Sequence, residues 1–167
     1  MEFSNNWKGH SGLNRKMKVL VIDDEPANVA LLEDMLGENG YGRVKSITDS
    51  RLALETCREF DPDLVLLDMI MPHLDGFAVL DVLDPHRSHN YLPIIVLTAD
   101  VNEETKLRAL QAGATDFLLK PFNETEVLLR ISNALETRRL HLLLDTRCAA
   151  LEEAIRARSI ELREAKS

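Results

Sequence analysis

Cysteine is scarce in this chain of 167 residues: Cys57 and Cys148 stand far apart, in no C-x-x-C spacing. That argues against a disulfide framework and a zinc site, and it suits a reducing cytoplasm. Basic residues are outnumbered, with 20 Lys and Arg against 28 Asp and Glu, for a formal net charge of −8. Binding a nucleic-acid backbone needs clustered cations, so no direct nucleic-acid contact is expected. No helix-turn-helix segment is visible either. No apolar run approaches the roughly 20 residues of a bilayer span, so no membrane contact is expected. The opening residues, MEFSNNWKGHSGLNRK, lack the apolar segment of a secretory signal. Residues 1–16 are read as a tail, native or added, outside the expected domain.

What is present is a chain able to bury a core. Hydrophobic residues make up 45%, which argues against wholesale disorder. The length predicts one domain, or one domain plus an extension. Short apolar runs at 18–22, 43–47, 63–67, 93–97 and 114–119 predict five strands. Helical patterns fill the intervals. Pro26 suits a first helical turn, followed by Val29, Leu32 and Leu36 at helical spacing and stopped by Gly37 and Gly40. Asp49 is placed to cap a second helix, residues 74–83 predict a third, and residues 103–112, stopped by Gly113, a fourth. Asn123 opens a fifth, with Glu126 three residues on as in a capping box. Strand and helix alternate five times, which implies a parallel sheet covered on both faces. Strands 1, 3 and 4 are almost wholly apolar, as doubly buried strands should be, and the more polar second strand suits an edge.

The fifth helix does not stop where a compact domain would. Residues 134–166 contain no glycine and no proline. His141, Leu144, Cys148, Leu151, Ile155, Arg158, Leu162 and Ala165 recur at alternating spacings of three and four. This is an a/d heptad seam with His141 and Arg158 as imperfect members. A helix through the segment extends about 45 Å. A two-stranded coiled coil is the preferred reading over a helix lying on its own domain, because charges around the seam leave no broad apolar face.

In a parallel sheet all strands end at one edge, where α/β folds bind ligands. Here strand 1 ends in Asp23-Asp24, strand 3 in Asp68, strand 4 in Thr98 and strand 5 in Lys120. Three carboxylates at one mouth repel each other unless a hard cation sits among them. Oxygen ligands without His or Cys favour Mg²⁺, with Mn²⁺ as a substitute. A divalent ion, an ammonium and a hydroxyl form a cradle for phosphoryl oxygens, and a central Asp is a competent phosphoryl acceptor. Taken singly, the Asp pair could be a helix cap and Asp68 a solvated strand-end acid. Asp75-Gly76 reads as a turn. His73, His86, His89 and His141 read as surface residues, and Trp7 in the tail carries no assignment.

Four motifs in order tie these residues together: Val19-Leu-Val-Ile-Asp-Asp-Glu25, Leu64-Val-Leu-Leu-Asp-Met-Ile-Met-Pro-His-Leu-Asp-Gly76, Val96-Leu-Thr-Ala99 and Gly113-Ala-Thr-Asp-Phe-Leu-Leu-Lys-Pro-Phe122. Over about residues 17–138 the chain resembles the receiver domain of bacterial two-component response regulators. The resemblance implies a flavodoxin-like α/β fold, a doubly wound (βα)5 parallel sheet of order 2-1-3-4-5, with the extended C-terminal helix added. The implied divisions are a tail at 1–16, a receiver at 17–136 and a coiled-coil linker at 137–167. By resemblance Asp68 is the phosphoacceptor and Asp23 and Asp24 the acidic pair, with Asp24 the expected direct Mg²⁺ ligand. The carbonyl of Ile70 is a further metal ligand. Lys120 pairs with the phosphoryl group, and the Lys120–Pro121 bond is often cis in the family. Thr98 and Phe117 form the switch: on phosphorylation Thr98 turns to the phosphoryl group and Phe117 turns inward, repacking the face of helix 4, strand 5 and helix 5. Ile70 cannot orient a water for hydrolysis, whereas Asp100 could.

The implied function is a phosphoacceptor of a relay, a signalling domain rather than an enzyme. A sensor histidine kinase or a histidine phosphotransfer protein is the implied partner. The signal is expected to leave through a homodimer formed by Leu144, Cys148, Leu151, Ile155 and Leu162, toward an output domain outside this chain. One alternative is the receiver and linker of a cyclic-dinucleotide enzyme or a kinase. Another is a non-catalytic dimerisation scaffold. A metal-dependent phosphatase is a weaker option, since such enzymes place a second acid two residues after the nucleophile, where this chain has Ile70.

Overall fold

The computed structural model describes residues 11–87 and 90–166, so His89 and Trp7 lie outside the described residues. Its elements in chain order are α1 (Ser11–Asn14), β1 (Val19–Ile22), α2 (Pro26–Glu38), β2 (Val44–Ile47), α3 (Ala53–Phe60) and β3 (Leu64–Asp68). Then follow α4 (Gly76–Arg87), β4 (Ile94–Thr98), α5 (Glu103–Gln111), β5 (Asp116–Leu119) and α6 (Glu124–Glu164). The five strands form one parallel sheet in the order β2-β1-β3-β4-β5. This is the expected doubly wound flavodoxin-like fold, with the polar strand β2 at an edge.

Alternation along the strands divides the core in two. Val19, Val21, Leu64, Leu66, Ile95 and Leu97 face a layer made by α2 and α6. Leu20, Ile22, Val65, Leu67, Ile94 and Val96 face α3, α4 and α5. All twelve side chains are essentially inaccessible to water. Each such leucine or isoleucine cut to alanine costs about 2–5 kcal/mol, so the sheet is a stiff platform for whatever its edge carries.

Local differences from the sequence reading have physical causes. Asp49 caps a 3-10 turn, Ser50–Leu52, by accepting from the Arg51 amide, and α3 proper begins only at Ala53. α4 begins at Gly76 rather than residue 74, because the Asp75 carboxylate accepts from the Ala78 amide at 2.9 Å and so stands before the first turn. It runs on through Pro85 to Arg87, since a proline near the end of a helix removes only one late hydrogen bond. β5 starts at Asp116, two residues late. Gly113, at φ +107°, turns the chain out of α5 in a conformation that a side chain would strain. The Asn123 side chain caps α6 by accepting from the Glu126 amide at 3.1 Å, while the Glu126 carboxylate pairs with Arg130.

α6 spans 41 residues and changes character midway. Its first half buries Val127, Leu128, Ile131, Ala134 and Leu135 against the sheet. At the far edge of the sheet, beside the strands' amino ends, Arg138 is gripped. Its guanidinium pairs with Asp63 at 3.3 Å and donates to the Tyr91 carbonyl. Asp63 also accepts from the Lys18 amide at 2.8 Å, so one buried arginine ties the entries of β1, β3 and β4 to the helix. His141, one turn on, stacks on Tyr91 with ring centroids 4.0 Å apart and planes 15° off parallel. The first expected member of the seam is thus engaged by the domain itself. Part of the expected tail also packs on the domain: α1 lies on α6, with the Asn14 side-chain amide donating to Glu136 at 3.3 Å. From residue 140 to 166 every residue is exposed. At 1.5 Å per residue this half projects about 40 Å past the sheet.

Candidate functional site

The order 2-1-3 places β1 and β3 side by side where the sheet's winding reverses, and a crevice opens at their carboxyl ends. Asp23 follows β1 directly, and its amide still donates to Ile47 on β2. Asp68 is the last residue of β3, Thr98 the last of β4, and Lys120 follows β5. The backbone ladder holds all four: the Met69 amide donates to Leu97, and the Lys120 amide donates to Thr98 at 2.8 Å.

The expected residues converge. Asp23 is fully buried, Asp68 and Thr98 nearly so, and Asp24 half-buried. One carboxylate oxygen from each of Asp23, Asp24 and Asp68 lies within 4.8 Å of the others. The Lys120 ammonium reaches between two of them, 3.1 Å from Asp68 and 3.5 Å from Asp23. Burial pushes the Asp68 carboxyl up to about 6, the Lys120 hydrogen bond opposes that rise, and the charge on Asp23 adds to it. One lysine therefore does not neutralise this cluster. A hard divalent cation fits what remains: three oxygen donors, no sulfur, no imidazole and uncompensated negative charge.

The backbone and neighbouring side chains frame the carboxylates. The Ile70 amide points at Asp68 from 3.5 Å, and the Ile70 side chain stands 75% exposed over the mouth. The Lys120–Pro121 bond is cis. The Thr98 hydroxyl oxygen accepts from the Asp100 amide at 3.0 Å, leaving its hydrogen to be donated. Each Asp100 carboxylate oxygen accepts one hydrogen bond at the start of α5, from the Asn102 amide at 2.8 Å and from the Thr105 hydroxyl at 2.9 Å. These bonds hold its carboxyl below the ordinary range and tie it to the helix cap. Phe117 is half-buried against the core, with the Lys106 ammonium 4.7 Å and the Arg130 guanidinium 5.9 Å from its ring centre. A groove of about 280 Å³ opens beside Thr98, lined by Met69, Ile70, Phe77 and Arg108 among others.

Two residues of the site escape a reading of motifs. Gly76, taken as turn chemistry, is a close approach: its amide donates to the Met69 carbonyl at 2.9 Å. A Cβ there would stand 2.7 Å from the Met69 Cα and 2.9 Å from the Asp68 carbonyl oxygen. Ser50 is buried and bridges the loop after Asp68, donating to the Pro72 carbonyl at 3.1 Å and accepting from the Leu74 amide at 3.2 Å. The Asp75-Gly76 pair hinted at the first; nothing local hinted at the second. Among the described residues no helix is long and apolar enough to cross a membrane.

Comparison with known proteins agrees with this geometry. Residues 19–132 match the family model for the response regulator receiver domain. A Vibrio cholerae protein named "Probable cyclic di-GMP phosphodiesterase" is 32% identical over 146 residues, covering 86% of this chain and 32% of that protein. Response regulator PleD of Caulobacter vibrioides is 35% identical over 114 residues, covering 68% of this chain and 25% of its own length. The chain thus spans about a quarter to a third of these two relatives. Among solved structures, one described as a two-component system response regulator/GGDEF domain protein superposes with a TM-score of 0.74 at 29% identity, over 83% of this chain and 56% of that one. The Vibrio cholerae chemotaxis protein CheY4 superposes with a TM-score of 0.65 at 29% identity, over 71% of this chain and 98% of its own.

Proposed function

The chain belongs to the response regulator receiver domain family, and from that premise we propose that Asp68 accepts a phosphoryl group from a histidine kinase or phosphotransfer protein and that α6 carries the result outward. The observation that supports this most is Asp68 itself, a buried carboxylate at the crevice with Lys120 at 3.1 Å and two further carboxylates at hand. A carboxylate oxygen of Asp68 attacks phosphorus in line with the donor. The P–N bond to the donor imidazole breaks, the new P–O bond forms on Asp68, and the imidazole leaves to take up a proton. The groove beside Met69, Ile70 and Phe77 leaves room for that donor.

Asp23, Asp24, Asp68 and the Ile70 carbonyl are the proposed holders of Mg²⁺. When bound, the ion supplies neutralisation of the charge on the transferred group. Lys120 contributes a fixed positive charge on the same oxygens, and the Thr98 hydroxyl has its hydrogen ready for one of them. Drawing Thr98 inward pulls on the Asp100 amide and so on the cap of α5. Phe117, held between cations of α5 and α6, is the second moving part of the α5, β5 and α6 face. Asp100 is exposed and accepts one hydrogen bond on each carboxylate oxygen, so its remaining lone pairs leave it able to orient a hydrolytic water.

The test uses acetyl phosphate as donor. With Mg²⁺ the chain gains the mass of one phosphoryl group, and chelating the metal or replacing Asp68 by Asn abolishes the gain. An Asp68→Asn variant labelled as fast as the parent would sink the proposal. A second reading, the receiver and linker of a larger cyclic-dinucleotide regulator, is favoured by the long exposed half of α6 and by the names of the matched proteins. Reading the coding sequence past Ser167 tests it.

A further inference from the structure

We infer that the projecting half of α6 packs against a second copy of this chain as a parallel, in-register pair beginning at Leu144. The inference rests on the proposed role of α6 in carrying the signal outward and on the coiled-coil seam expected from the sequence, and it adds polarity, register and starting point. His141 cannot open the seam, because it stacks on Tyr91 of its own domain. Leu144, Leu151, Ile155 and Leu162 are each more than half exposed, and with Cys148 they form one stripe along the projecting helix. In heptad terms Leu144, Leu151, Arg158 and Ala165 hold d positions, and Cys148, Ile155 and Leu162 hold a positions.

Charges flanking the stripe name the occupant. Arg147 and Glu161 hold g positions, and Glu152 and Lys166 hold the e positions that follow them. In a parallel in-register pair each g residue meets the following e residue of the other copy. Arg147 then faces Glu152 of the second copy, and Glu161 faces its Lys166, each pair occurring twice by symmetry. The antiparallel arrangement with the longest overlap keeps one favourable flanking contact, Arg147 against Glu161, but sets Glu152 against Glu152 and stacks Cys148 on Arg158. The parallel pair has opposite charges at both flanking contacts and one unfavourable layer, where two Arg158 side chains meet. Arg158 relieves part of that by bonding its own Glu161 at 3.2 Å. The pair is therefore weak by its own sequence, and the Arg158 layer sets how weak.

Sedimentation of the full-length chain tests this, with Asp68 labelling by acetyl phosphate measured on the same samples. A monomer–dimer equilibrium is expected. Glu152→Arg weakens it about tenfold by facing two arginines with arginines, and Arg147→Glu added to Glu152→Arg restores it. Arg158→Leu tightens it by at least as much. Mild oxidation with copper phenanthroline joins the two Cys148 thiols across the seam, and Cys148→Ser abolishes the covalent dimer while buried Cys57 stays inert. A chain that stays monomeric to its solubility limit would overturn the inference. So would a dimer whose double charge reversal stays weak. That result is expected of an antiparallel pair, in which Arg147→Glu sets a new acid against Glu161 of the other copy. Loss of labelling with dimerisation intact would instead fault the phosphoacceptor reading alone.

Discussion

Replacing Asp68 by Asn should make this protein more stable, although it removes the central residue of the site. Burial and the neighbouring Asp23 charge raise the Asp68 carboxyl from 3.8 to about 6. At 1.36 kcal/mol per pKa unit, the ionised carboxylate costs the folded state up to about 3 kcal/mol at neutral pH. Solvent reaching the mouth, and the Lys120 hydrogen bond that asparagine weakens, reduce the expected gain to about 1–3 kcal/mol. The sign follows from linkage. A carboxyl whose folded pKa lies above its unfolded one binds its proton more tightly when folded. The native protein therefore loses stability as pH rises from about 4 to 6 and levels off above that. Asparagine does not titrate, so the difference between variant and parent is greatest above pH 6 and falls to about a third of its plateau near pH 4.5. Thermal unfolding in chelator-containing buffer reads this directly: about 3–10 °C in favour of the variant at pH 7.5, shrinking toward pH 4.5. Mg²⁺ raises the melting point of the parent at pH 7.5 more than that of the variant. A variant less stable than its parent at pH 7.5, or a difference that does not change with pH, would refute the claim that Asp68 sits in an under-neutralised acidic crevice.

Gly76→Ala pushes a methyl into the Met69 Cα and the Asp68 carbonyl, and should cost about 1–3 kcal/mol in denaturant titration while slowing acetyl phosphate labelling. Lys120→Met leaves Asp23 and Asp68 facing each other without their shared cation; labelling should fall at least about a hundredfold, read by intact mass against time. Thr98→Val keeps the shape of the strand end, so Asp68 still labels, but the spectral shift of Phe117 and the α5, β5 and α6 face on adding beryllofluoride should be lost, as followed by NMR. Arg138→Met leaves Asp63 with only the Lys18 amide and should destabilise by about 3 kcal/mol without changing the initial labelling rate.

The site was readable because α/β geometry does the gathering. Once Asp23, Asp68, Thr98 and Lys120 are recognised as strand ends, a parallel sheet brings them to one edge without further information. The polar edge strand and the doubly buried centre were readable for the same reason, from which faces each strand must hide. What stayed hidden depends on distance between backbones or on single long-range contacts. Gly76 looks like any turn glycine until β3 is seen beside it. α1 is four residues long, too short to carry a helical period, and its Asn14 reaches a partner as distant in sequence as Glu136. His141 fits the heptad spacing, yet an aromatic partner 50 positions away takes it. Spacing alone reports which face a residue is on, not which neighbour claims it.

The most direct test of the central claim is to locate the phosphoryl group. After labelling with acetyl phosphate and Mg²⁺, borohydride reduces an aspartyl phosphate to homoserine, and tandem mass spectrometry of the peptides places the change. Homoserine is expected at position 68 alone. Conversion at Asp23 or Asp24, or a stable label on a histidine with Asp68 untouched, would contradict it.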